Sequence, residues 1–87
     1  MYVVIVYDIG VERVSKVCKA LRRRLTWVQN SVFEGEISEA DFQKIQADLL
    51  KIIERERDSV LFYCIQNTKG WEKRVLGQER ASTDTFL

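Results

Sequence analysis

The chain has no histidine. That removes imidazole as a general base and excludes any Ser-His-Asp or Cys-His arrangement. There are two cysteines, Cys18 and Cys64, far apart in sequence. With no histidine to complete a ligand set, that spacing argues against zinc. No apolar run is long enough to cross a bilayer, which takes roughly 20 residues. No basic segment precedes an apolar one at the start, so no secretory leader is expected. The cysteines are therefore expected to be reduced, buried thiols, and the protein cytoplasmic. No glycine-rich phosphate loop, dinucleotide fingerprint or nucleophile motif is present. An enzyme built on this chain must work with carboxylates, tyrosine, serine, lysine, arginine or a hard metal ion.

What is there suits one small folded domain. A chain of 87 residues buries a modest core and often gains stability by dimerising. The formal net charge is +1, but the distribution is uneven. Between residues 13 and 24 stand Arg13, Lys16, Lys19, Arg22, Arg23 and Arg24, with no acid among them. Between residues 34 and 41 stand Glu34, Glu36, Glu39 and Asp41, with no base. A near-neutral total conceals a basic segment and an acidic one.

Tyr2-Val3-Val4-Ile5-Val6-Tyr7-Asp8-Ile9 is an apolar, β-branched run that reads as a buried strand. Val14, Val17, Cys18 and Leu21 recur at helical spacing and predict a helix over 11–24. Residues 25–37 favour extended structure, as two short strands or one strand bent near Asn30 and again near Gly35. Ser38 with Asp41 three residues on is a variant of the capping box. From there Phe42, Ile45, Leu49, Ile52 and Ile53 carry a second helix to about residue 55. Strands follow over 60–65 and 71–76, joined by a turn at Asn67-Thr68-Lys69-Gly70. The order is β-α-β-β-α-β with an extra C-terminal strand, which predicts an α+β, ferredoxin-like sandwich. Residues 1–77 form the expected domain, and 78–87 a mobile polar tail. The last strand can pair within the chain or on a neighbour's sheet edge.

No other acidic residue stands out as Asp8 does. A carboxylate within a sheet is costly unless it is paired, hydrogen-bonded or metal-bound. At a strand end it can face a cleft or a partner subunit. Two readings stay open. In one, Asp8 helps hold Mg²⁺, which prefers oxygen ligands and keeps several waters, and a twofold axis brings a second Asp8. In the other, Asp8 accepts backbone N–H bonds from the turn after Gly10. The basic helix is likewise a phosphate-contacting surface or a solvated face. Glu34 and Glu36 share one strand face and read as solvent-facing, with a metal site or a basic partner as the alternative. Trp27, Phe33, Tyr63 and Trp71 can stack on bases or serve as core and interface.

Two stretches carry a family resemblance. One is Val6-Tyr7-Asp8-Ile9 followed by the basic helix, and the other is Val28-Gln29-Asn30-Ser31-Val32-Phe33-Glu34-Gly35-Glu36-Ile37. Together with Asp58-Ser59-Val60 they resemble the Cas-two family of CRISPR-associated proteins, over roughly residues 1–65. The resemblance implies a homodimer of ferredoxin-like protomers whose C-terminal strand packs on the partner. It implies a part in spacer acquisition, with the dimer bridging subunits of the Cas-one integrase and helping to hold double-stranded DNA. It also implies Mg²⁺-dependent endonuclease activity on single-stranded RNA or double-stranded DNA. By the same resemblance Asp8 is the metal ligand, and Tyr7, Arg13, Ser31 and Phe33 join it in the catalytic set. Leu25 and Trp27 stand where many members carry glycine and arginine. The competing expectation is a ferredoxin-like RNA-binding or toxin-type module unconnected to CRISPR.

Overall fold

The computed structural model describes residues 1–67 and 70–79. Its elements are β1 (Tyr2–Asp8), α1 (Val11–Arg22), β2 (Thr26–Gln29), β3 (Val32–Glu36), α2 (Glu39–Ile52), β4 (Ser59–Asn67) and β5 (Gly70–Gly77). The strands form one sheet in the order β2-β3-β1-β4-β5, antiparallel throughout. The first four strands and two helices make the expected ferredoxin-like α+β arrangement. β5 pairs with β4 of its own chain, from Ser59↔Gly77 to Asn67↔Gly70.

Residues 25–37 divide into two strands at Asn30, whose φ of 37° is one that asparagine tolerates in a tight turn. No bend occurs at Gly35, which lies within β3 opposite Val3. α1 ends at Arg22 rather than residue 24, although Leu25 N–H still bonds Leu21 C=O at 2.9 Å. α2 begins as expected, with Ser38 Oγ accepting from Asp41 N–H at 3.0 Å. It stops at Ile52, short of residue 55, because Ile53 turns to extended backbone. The expected turn at 67–70 and the tail at 78–87 lie largely outside the described residues.

Alternation along β1 divides the molecule into two unlike faces. Val3, Ile5 and Tyr7 point to the helices and join Phe33, Phe62 and Cys64 from the sheet. Val17 and Leu21 of α1, and Phe42, Ile45 and Leu49 of α2, close this core. Phe42 meets Phe62 edge-on, with ring centres 5.4 Å apart. The intervening residues Tyr2, Val4, Val6 and Asp8 point the other way. By register they stand beside Val32 of β3, Leu61 of β4 and, one strand further, Val75 of β5. Leu61 is buried yet stands apart from the helix-side core. Among the described residues no helix covers this second face, along whose centre half-buried Val4, Val6, Val32 and Val75 flank buried Leu61.

Candidate functional site

Asp8 closes β1 on the open face. It is exposed and stands opposite Ser59 in the β1–β4 register. Tyr7, one residue earlier, points into the helix side. Its hydroxyl lies 3.1 Å from Cys18 Sγ and donates to Asn30 C=O at 3.3 Å. Burial, with the Cys18 contact second, pushes the phenol up to about 12, and nearby Arg22 opposes the shift. Tyr7 N–H donates to Ser31 C=O at 3.0 Å, so the β2–β3 turn is docked on the end of β1. Phe33 lies below, its ring centre 6.0 Å from that of Tyr7. The sheet thus gathers Tyr7, Asp8, Ser31 and Phe33 at one end. Asp8 is open to solvent there, whereas Phe33 is wholly buried and packs the end from beneath.

The carboxylate that most needs partners is Asp58, in the turn between α2 and β4. It is fully buried. Oδ1 accepts from Gly10 N–H at 2.9 Å and from Arg13 Nη2 at 2.9 Å. Oδ2 accepts from Arg13 Nε at 2.6 Å and from Glu54 N–H at 2.8 Å. Foremost the Arg13 guanidinium, and then the two backbone donors, hold this carboxyl well below the usual range against the cost of burial. The turn after β1 therefore donates its Gly10 N–H to Asp58. A side chain at Gly10 would collide with Arg13, since a Cβ there would lie 2.4 Å from Nη2. The main chain of Asp58 is engaged too, its C=O accepting from Gln78 N–H at 2.9 Å. Asp58 had entered only as part of a family stretch. The signal available was its place just ahead of the strongest β run, but no local pattern names a partner 45 residues away.

The cations of residues 13–24 do not share one face. Arg13 faces Asp58. Arg22 lies on the Tyr7 side. Arg24 Nε stands 3.4 Å from Asp41 Oδ1. Lys16, Lys19 and Arg23 line an outward groove between the helices, of about 320 Å³, floored by Ala20 and Ile52. Lys51 of α2 adds a fourth cation, and Asp48 one acid. Lys51 was not among the expected binding residues, because only tertiary packing brings it beside α1. This groove belongs to the helical layer, and Asp8 to the opposite face of the sheet. Of the four aromatics, Phe33 is core, Tyr63 is half-buried against Trp71 at 5.9 Å, and Trp27 and Trp71 are exposed.

Among the described residues no three His, Cys, Asp or Glu side chains come together as a metal site. The donor that one protomer brings to the end of β1 is the exposed carboxylate of Asp8. Mg²⁺ fits such a donor, because it binds through one or two carboxylates with water and substrate phosphate completing its shell.

The family model described as CRISPR associated protein Cas2 matches residues 1–73. The chain belongs to the Cas2 family. It is 57% identical over 81 residues to the CRISPR-associated endoribonuclease Cas2 of Pyrococcus furiosus, covering 87% of this chain and 95% of that protein. It is 49% identical over 87 residues to the protein of that name from Methanothermobacter thermautotrophicus, covering 100% of this chain and 96% of the relative. Solved Cas2 structures share the fold. One described as crystal structure of cas2 matches with a TM-score of 0.73 at 42% identity, over 93% of this chain and 91% of that one. Cas2 of Streptococcus pyogenes matches with a TM-score of 0.70 at 34% identity, over 78% and 89%. Family membership sets aside the alternative of a module unconnected to CRISPR. No helix among the described residues is long and apolar enough to cross a membrane.

Proposed function

We propose that this Cas2 protein works as a homodimer that holds double-stranded DNA for the Cas-one integrase during spacer acquisition. The observation that carries it is the separation of the two faces. An aliphatic strip centred on Val4, Val6, Val32, Leu61 and Val75 suits a second copy, because a two-layer domain with one uncovered apolar sheet face gains by burying it. The Lys16, Lys19, Arg23 and Lys51 groove remains on the outside, free for phosphates. Such contacts are sequence-independent and release counterions. Duplex affinity measured across a salt series, with the mass of the free protein by light scattering, tests this. The expected result is a dimer whose affinity falls by several decades per decade of salt. A monomer, or a salt-insensitive affinity, would refute it.

A second activity is favoured by the exposure of Asp8 and by the endoribonuclease naming of the relatives. Asp8 of each protomer would hold Mg²⁺, which when bound polarises a phosphoryl oxygen and makes water a better nucleophile. Tyr7, anchored by Cys18 and Asn30, fixes the strand end that carries Asp8. Ser31, in the docked turn, offers a hydroxyl at the same end of the sheet. Cleavage of single-stranded RNA and double-stranded DNA, with and without EDTA, tests this activity. It should require both the metal and Asp8.

A further inference from the structure

Arg13 is the cation nearest Asp8 in sequence, and on spacing alone it belongs with the phosphate-binding set. Its surroundings are the opposite of a phosphate site. Nε and Nη2 are both taken by Asp58, at 2.6 and 2.9 Å. Nη1 stands 2.9 Å from Glu12 Oε1 and 3.3 Å from Glu54 Oε2. Every guanidinium nitrogen therefore faces a carboxylate. Three carboxylates surround Arg13, and one of them, Glu54, also meets the exposed Arg57 at 3.5 Å. Carboxylates outnumber cations in these contacts, which disfavours a phosphate there.

What the cluster grips is the flank of Asp8. Gly10, two residues beyond Asp8, donates its N–H to Asp58 Oδ1. Ser59, the next residue after Asp58, is the register partner of Asp8. One buried carboxylate thus fixes both the turn leaving Asp8 and the strand beside it, and Arg13 orients that carboxylate with a bidentate fork. We infer that Arg13 is a positioning residue, which acts on Asp8 through Asp58 and does not contact phosphate.

The kinetic arm of the test rests on the nuclease activity proposed above, and the binding arm does not. Full-length protein is used with Mg²⁺ and a short single-stranded RNA for turnover. A short DNA duplex across a salt series serves for affinity. Arg13→Lys keeps the charge but loses the fork. It is expected to lower kcat by about tenfold or more, as a small displacement of a reacting group does, while KM stays within about twofold. The paired variant Arg13→Gln with Asp58→Asn removes both charges and can still hydrogen-bond. It should keep the wild-type slope of log affinity against log salt, whereas Lys19→Gln should reduce that slope by about 0.9. A slope reduced by that amount in the paired variant would overturn the inference, as would a raised KM with unchanged kcat in Arg13→Lys. If the paired variant does not fold, the KM and kcat split of Arg13→Lys decides. If wild-type protein cleaves nothing, the nuclease proposal fails by itself, and the salt slope still decides the role of Arg13.

Discussion

Asp8 and Asp58 stand almost side by side, since Asp8 pairs with the residue that follows Asp58, yet their surroundings differ in nearly every respect. Asp8 is exposed, at the edge of an uncovered apolar face. Asp58 is fully buried, with four donors on its two oxygens. A carboxylate with all its lone pairs occupied by the protein has nothing left for a metal or a substrate. Asp8, exposed at the strand end, can be reached from solvent by either. Stability should therefore depend on Asp58 and chemistry on Asp8, and each acid can be removed to ask whether the division holds.

The largest effect on stability is expected from Asp58→Asn. Asparagine turns an NH2 donor against two of the four donors that the carboxylate accepts from and leaves them unmet in a buried site, at a cost near 3 kcal/mol, the low end of the range for a broken buried pair because Arg13 keeps Glu12, Glu54 and some solvent. Urea denaturation measures it. The same pair sets a pH dependence. The folded carboxyl titrates below its unfolded value, so its contribution is complete above about pH 4 and fades as pH falls through the lower folded value. Wild type should weaken below about pH 4, and Asp58→Asn should flatten that part of the profile.

Gly77→Ala probes the far side of Asp58. Gly77 has φ of 79°, and a Cβ there would come 2.2 Å from Asp58 C=O, a main-chain atom with little freedom to move. A loss of about 1–3 kcal/mol is expected by thermal denaturation. Tyr7→Phe should have a smaller effect, seen at alkaline pH. The folded phenol is pushed up to about 12, so its contribution is present below its unfolded value near 10 and is lost as pH rises toward 12. The variant should lack that alkaline decline. Lys51→Gln, away from both acids, should leave stability nearly unchanged and lower the salt slope of duplex binding by about 0.9.

Most of the fold was legible because its local signals agree. The apolar run of β1, the helical spacing of Val14, Val17 and Leu21, and the Ser38 cap all pointed one way. Helix ends were misplaced where the chain stops for tertiary reasons, as at Ile53. The end of the sheet was legible in part. Tyr7, Asp8, Ser31 and Phe33 share one end of the sheet because β1 and β3 are register partners, with Tyr7 and Phe33 on the helix side and Asp8 on the other. Asp58 was passed over since its partners, Gly10 and Arg13, arrive from the other end of the chain, and sequence spacing carries no record of that meeting. Lys51 was missed for the same reason, as was the division of the α1 cations among several surroundings.

One pair of assays on Asp8→Asn probes the division between the two acids most directly: urea denaturation, and Mg²⁺-dependent cleavage of single-stranded RNA by the same preparation. Stability within about 0.5 kcal/mol of wild type, as for an exposed site, with cleavage abolished, is the expected outcome. A variant that cleaves undiminished, or that loses as much stability as Asp58→Asn, would show that Asp8 does not hold the role given to it here.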